Sequence, residues 1–224
     1  MNPVSMDTVR ADFDRLAGVE SAGWNHNNHY HPFLLRHLPP HIGQALEIGC
    51  GKGAFSRLLA DRAEHVVAID LSGEMLGFAQ AASAAYTNID YRQCDVLEWD
   101  IPRESFDCIA TIATLHHLPL EPVFLKVRDV LKPGGVLLVL DLYTAQTPMD
   151  YLWGAAGIPV SRLLKVLKRT PRQSQAVREA WEAHSAHDSY PALAEVRAAA
   201  DLHLPGAQVR RHLLWRYSLV WRKP

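Results

Sequence analysis

The 224-residue chain predicts an α/β fold, a doubly wound sheet of seven strands, mostly parallel with one antiparallel strand, and a helical cap insertion. Three observations carry this. Between Gln44 and Tyr143, short apolar runs alternate with helix-like stretches. Most of those runs lack period-two alternation, the pattern of strands covered on both faces in a parallel sheet. The closing AQVRRHLLWRYSLVWRKP does alternate, as a hairpin that supplies the antiparallel member.

The elements follow in order. Residues 1–43 precede the first strand. QALEIG, HVVAID, IDYRQCD, FDCIATIA and GVLLVLDLY read as strands within a core spanning residues 44–143. Between them GAFSRLLADRA and SGEMLGFAQAAS carry apolar positions at helical spacing, with Ser72 as N-cap of the second. LEPVFLKVRDVLKPGG is a third helix, stopped by Pro133 and the glycines after it. Residues 144–189 form a mostly helical insertion over the sheet's end. Residues 190–224 supply PALAEVRAAADLHLPG, a helix ended by Pro205-Gly206, and then the hairpin. The four segments make one domain, and the aromatic-rich hairpin is an edge on which a homodimer can form.

Composition narrows the class. Hydrophobic content of 48% and charged content of 21% are ordinary for a globular domain. A formal net charge of -1 leaves no global field to attract nucleic acid or an anionic membrane. The start, MNPVSMDTVRADFDRL, lacks an apolar signal core, and GVLLVL is too short to span a bilayer, so stable membrane insertion is not expected. Three cysteines, Cys50, Cys94 and Cys108, are unpaired in spacing and fit a reducing, cytoplasmic setting.

ALEIGCGKGAF joins the first strand to the first helix with Gly49, Gly51 and Gly53 at alternating positions, where the backbone turns tightly and a ligand approaches closely. A Walker loop needs Ser or Thr after its Lys, and Lys52 is followed by Gly53, so that reading fails. A dinucleotide fingerprint is formally met by Gly49, Gly51 and Ala54. A loop for S-adenosylmethionine places an acid two residues before the first glycine, and Glu47 is that acid.

From Glu47 to about Tyr143 the chain resembles the class I S-adenosylmethionine-dependent methyltransferases, whose sheet is Rossmann-like. EIGCGKG is similar to their first motif, VVAIDLS to the acidic end of their second strand, and QCDVLEW to their adenine-contacting segment. FDCIATIATLHHLP resembles their fourth strand with its active-site edge, and LKPGGVLLVLDLY their fifth. The closing LWRYSLVWRKP is similar to the ends of bacterial small-molecule members. The resemblance implies that S-adenosylmethionine is bound by Glu47, Gly49, Cys50, Gly51, Gly53, Asp70, Leu71, Met75, Asp95, Val96 and Thr111. Asp70, 21 residues after Gly49 at a strand's end, suits the ribose hydroxyls, although capping and turn roles compete for Asp70 and Asp95.

Methyl transfer from a sulfonium is an in-line displacement that a nearby base assists when the acceptor carries a proton. His116, after the fourth strand, is the candidate base, against a plain packing role. His117 is read as a capping or packing residue. The segment before the first strand resembles a lid. Trp24, Tyr30 and His31 are its expected cofactor- or substrate-covering residues, with Tyr143 beside the acceptor. HNNHYH concentrates histidines, and an extended backbone there would put His29 and His31 on one strand face, yet His26, His29 and His31 lack interleaved acids or thiols, so no metal is expected. SRLLKVLKRTPR carries five basic residues and no acid; a solvated face, an anionic substrate and membrane contact compete for it. The chain lacks an NPPY-like tetrapeptide, a Pro-Cys nucleophile and a double-glutamate loop. The expected acceptor is therefore a small molecule taking the methyl on oxygen, nitrogen or sulfur. The competing readings are a nicotinamide-dependent oxidoreductase and a non-catalytic binding protein.

Overall fold

Among the described residues, seven strands form one sheet: β1 (Ile42–Ile48), β2 (Ala63–Asp70), β3 (Ile89–Gln93), β4 (Phe106–Ile112), β5 (Leu131–Asp141), β6 (Gln208–His212) and β7 (Arg216–Arg222). The structure, a computed structural model, describes residues 6–18, 23–172, 174–185 and 188–224. The first five residues of the expected lid, and residues 19–22 within it, lie outside that set. Strand order is β3-β2-β1-β4-β5-β7-β6. Neighbours among β1 to β5 pair parallel, and β7 runs antiparallel to both β5 and β6. The expected mostly parallel sheet with one reversed strand is therefore the observed one.

Side-chain alternation explains the double winding. On β1, Leu46 and Ile48 face one way, into a core with Phe124, Val127, Val196 and Ala200. The last four belong to α5 (Leu120–Val130) and α8 (Leu193–His203). Ala45 faces the other way, with Leu34, Phe55 and Leu59. These sit on α2 (His31–Leu35) and α3 (Ala54–Ala60). Both faces are covered, so the strands read as unbroken apolar runs.

α4 (Gly73–Ala82) begins where expected, with the Ser72 hydroxyl accepting from the Met75 amide at 3.0 Å. α5 ends at Val130, three residues short of Pro133, because the residue before a proline is pushed out of the helical region. β5 starts at once and carries Pro133 and two glycines as an irregularity in its pairing with β4.

The N-terminal segment also differs from the sequence reading. α1 (Met6–Ala17) buries Val9, Leu16 and Ala17 at helical spacing. His29 and His31 do not share a strand face; residues 28–30 form a single 3-10 turn that runs into α2. The 144–189 block holds α6 (Pro148–Leu167) and α7 (Gln175–Ser185).

Candidate active site

The C-terminal tips of β1, β2 and β4 open into a cavity of about 550 Å³, walled on its other sides by α1, the 25–31 segment and the end of α7. Such a crevice, where strand order reverses about β1 and β4, is the expected place for a ligand in an open α/β sheet.

Its first end is built from backbone turns and carboxylates. Glu47 is 2% exposed and accepts a hydrogen bond from the Ser56 hydroxyl on α3. Burial pushes its carboxyl up to about 8; the Ser56 bond opposes the rise and Asp70's charge adds to it. The glycines of the following turn have different duties. All three are left-handed, with φ of 71° at Gly49, 49° at Gly51 and 70° at Gly53. A Cβ at Gly49 would lie 2.2 Å from Thr114 Oγ1, and one at Gly53 2.3 Å from the Tyr91 hydroxyl. A Cβ at Gly51 would meet nothing within 4 Å. Gly49 and Gly53 are thus required by the protein's own packing, whereas Gly51 borders the cavity with open space above it.

Asp70, at the tip of β2, accepts from the Gly51 amide at 2.7 Å and the Ser72 amide at 2.9 Å, one on each carboxylate oxygen. It braces the turn and holds Ser72, the N-cap of α4, in place. Burial raises its pKa, against the pull of those amide bonds. Asp95 accepts from the Leu97 amide at 2.8 Å, so the turn role is real, and it also lines the cavity. Leu71, Met75 and Val96 supply apolar wall beside it, and Cys50 lines the turn.

The other end gathers side chains from remote segments. His116 Nδ1 lies 2.7 Å from Asp141 Oδ1, and the His116 amide donates to Asp141 Oδ2 at 2.8 Å. Asp141 is fully buried at the tip of β5. The carboxylate fixes the ring's orientation and holds the proton on Nδ1, which leaves the lone pair on Nε2. His116 packs against His117 and Tyr190 in tilted contacts, at centroid distances of 4.0 and 4.7 Å. The Tyr190 hydroxyl donates to Asp188 at 2.7 Å, and His184 Nε2 is 3.4 Å from the same carboxylate. His117 is lowered to about 4, by burial first and then by His116, and its Nε2 is buried without a partner.

Arg216, 8% exposed, lines this end and donates to Asn27 Oδ1 at 2.7 Å, tying the N-terminal segment to the hairpin. Its guanidinium is lowered to about 10 by burial, with Asp141's charge opposing.

Not every expected residue reaches the cavity. Glu47, Gly49, Cys50, Gly51, Asp70, Leu71, Met75, Asp95, Val96, His31 and His116 line it; Gly53, Thr111, Trp24, Tyr30 and Tyr143 do not. Thr111 is buried in β4 with its hydroxyl unpartnered. Trp24 packs edge-on against His26 and His29. The Tyr30 hydroxyl donates to the Leu213 carbonyl at 2.7 Å, and Tyr143 lies under the Arg211 guanidinium. His31 packs on Phe55, and burial lowers it to about 4.

Among the lining residues that sequence reasoning missed are Tyr190, His184, Asp188, Arg216 and His26, the last with Nε2 2.9 Å from the Ser161 hydroxyl; Asp141, fully buried against His116, was missed as well. Asp141 alone left a usable signal, an acid closing the apolar run VLLVLD. Among the described residues, the group with metal-ligand spacing is His116, His117 and Asp188, whose ligating atoms lie within 4.8 Å of one another. The opening histidines are not part of it.

A methyltransferase-domain model matches residues 46–139. An uncharacterized methyltransferase of Mycobacterium bovis is 30% identical over 209 residues, covering 90% of this chain and 98% of its own length. A ubiquinone biosynthesis O-methyltransferase of Xylella fastidiosa is 29% identical over 151 residues, 61% of either chain. Among solved structures, the N-methyltransferase NodS of Bradyrhizobium japonicum, in complex with S-adenosylhomocysteine, matches with a TM-score of 0.59 at 16% identity, over 96% of this chain and 98% of that one. The relative matched over nearly its whole length decides against the nicotinamide reading of the glycine turn, and the chain belongs to the class I S-adenosylmethionine-dependent methyltransferases.

Proposed function

We propose that the chain moves a methyl group from S-adenosylmethionine to an oxygen, nitrogen or sulfur atom of a small-molecule acceptor, with His116 taking the acceptor's proton. The observation that carries this is His116, which lines the same cavity as the glycine turn and Asp70 and is paired at 2.7 Å with the fully buried Asp141. When bound, S-adenosylmethionine supplies an activated methyl on a sulfonium sulfur.

The residues present suit that donor. Gly51 leaves open space where any side chain would intrude, so a ligand can approach the backbone. Asp70 would take the ribose hydroxyls on lone pairs not used by its two amide bonds. Leu71, Met75 and Val96 would cover the adenine, and Asp95 would accept its amino hydrogen. Glu47 sits closest beneath the turn, where its ionised form answers the donor's positive charge. Gly53, which touches Tyr91 rather than the cavity, serves by shaping the turn.

At the acceptor end, Asp141 holds His116 in the tautomer that accepts a proton at Nε2. Tyr190, Asn27 and Arg216 supply polar contacts for orientation. A cavity of about 550 Å³ accommodates a donor and a compact acceptor, within the ordinary range for small-molecule sites. Tyr30 and Trp24 act from behind the wall, pinning the N-terminal segment as a lid, and Tyr143 acts at the insertion's base. Thr111 contributes to strand packing.

The test is S-adenosylhomocysteine release over a panel of phenols, carboxylic acids, amines and thiols. Turnover of at least one acceptor is expected, falling about 10²–10⁴-fold in His116→Asn while S-adenosylhomocysteine still binds. Tight binding with no turnover across the panel would instead establish a non-catalytic binding protein.

A further inference from the structure

We propose that α6 docks on the surface of an anionic lipid bilayer. This 20-residue helix is attached by its small residues. Asp150, Gly157 and Ser161 form its buried stripe. A Cβ added at Gly154 would come within 3.3 Å of Trp215 Nε1, and one at Gly157 within 3.4 Å of the Leu214 amide. The glycines let the helix lie close on the β6–β7 turn. At 100° per residue the opposite side carries Leu152, Ala156, Pro159, Leu163 and Val166 in an i, i+4, i+7, i+11, i+14 stripe. Leu152 is 63% exposed, Leu163 58%, Val166 75% and Leu167 66%. An apolar stripe turned outward along a whole helix marks an interaction surface rather than a solvated face.

Charge selects the partner. Arg162, Lys165, Lys168, Arg169 and Arg172 cluster at the C-terminal end with no acid from Ser161 to Arg172. The helix's one acid, Asp150, is buried and paired with Arg211. Two copies packed stripe to stripe would set this cationic end either against its twin or against the Thr147–Tyr151 end, which exposes no acid. Anionic headgroups attract this cationic end while the acyl boundary takes the leucines and valine, the arrangement of an interfacial amphipathic helix. No described helix is long and apolar enough to cross a membrane, so α6 lies on the surface. Ser161 on its inner side bonds His26 on the cavity wall, so docking sets the cavity about one helix diameter from the lipid.

Flotation of the full chain with vesicles tests this without donor or acceptor, so its failure leaves the methyl-transfer reading standing. Vesicles of phosphatidylcholine with phosphatidylglycerol are expected to bind at least tenfold more protein than phosphatidylcholine alone, and most of that gain is expected to vanish at about 1 M salt, where the Debye length is about 3 Å. Leu163→Glu with Val166→Glu, both on the exposed stripe, is expected to abolish flotation while leaving thermal unfolding and S-adenosylhomocysteine binding intact. Equal binding to both vesicle types, no binding to either, flotation unchanged in the double variant, or a lipid-free dimer that the double variant dissociates would each overturn the proposal.

Discussion

The two ends of the cavity are built by opposite means. At the glycine turn, Glu47, Gly51 and Asp70 lie within 24 residues on two paired strands and the turn after the first, and Glu47 stands opposite Ala68 in the β1–β2 register. Their geometry follows from parallel strands ending at one level. At the other end Asn27, His116, Tyr190 and Arg216, with the buried Asp141 against His116, come from five segments, and contacts between α1, the N-terminal segment, the insertion and the hairpin bring them together. Donor handling is thus a property of the sheet, and acceptor handling a property of what the chain has laid over it. Substitutions at the first end should change binding, and at the second, turnover.

The sharpest break is at Asp141. Asp141→Asn replaces the acceptor of the Nδ1 proton with a group that also donates, and it is expected to lower kcat about 10²–10⁴-fold. S-adenosylhomocysteine affinity should stay within about threefold of wild type, since Asp141 lies at the far end. The double variant with His116→Asn should fall no further than either single variant, because the pair acts as a unit. Additive losses in the steady-state rates would show that Asp141 acts independently of His116.

Glu47 offers a pH handle on the donor end alone. Its raised pKa means that the folded donor-free protein keeps a proton which the unfolded chain releases, across a window from about pH 4 to about 8. That contribution to stability is fully present below the window and is lost as pH rises through about 8, an effect of roughly a few kcal/mol. Thermal melts of Glu47→Gln should therefore depend less on pH between 5 and 8 (roughly the window's span) than those of wild type. Calorimetry in buffers of different ionisation enthalpy should show proton release when the cationic donor binds wild type, and none from this site in the variant. Identical proton release in both would remove Glu47 from the donor's counter-charge.

The smallest effects separate two glycines in one turn. Gly53→Ala forces a Cβ onto the Tyr91 hydroxyl and should cost about 1–3 kcal/mol of stability. Gly51→Ala meets open space and should cost only about 1 kcal/mol, yet weaken S-adenosylhomocysteine more. Equal effects on binding would erase the distinction between a packing glycine and a ligand-facing one.

The same contrast explains what was legible in the sequence. The sheet was readable because unbroken apolar runs, glycine breaks and the Ser72 cap are local signals, and strand-tip acids follow their strands. α1 was passed over although Val9, Phe13 and Leu16 fall at helical spacing. The alternative of a shared strand face for His29 and His31 fails because Pro32 sits at the start of α2, where proline favours a helix. The expected cover residues Trp24 and Tyr30 stop short of the cavity, since the 3-10 turn rotates Tyr30 toward the hairpin and His26 takes the wall position. Tyr190 and Asp188 carried no motif, and Arg216 lay in the closing LWRYSLVWRKP with nothing to mark it as a cavity residue; their meaning arises only from long-range packing. Asp141 was within reach, because a fifth strand ending in an acid beside the fourth strand's TLHH turn follows from the register that sets Ile112 opposite Leu140.

Titration calorimetry with S-adenosylhomocysteine on wild type and Asp70→Ala tests most directly whether strand-tip carboxylates hold the donor. One molecule should bind per chain, with affinity at least tenfold weaker in the variant, as expected for losing hydrogen bonds to a charged group. Equal affinity in the two proteins, or no heat of binding in wild type, would contradict the account.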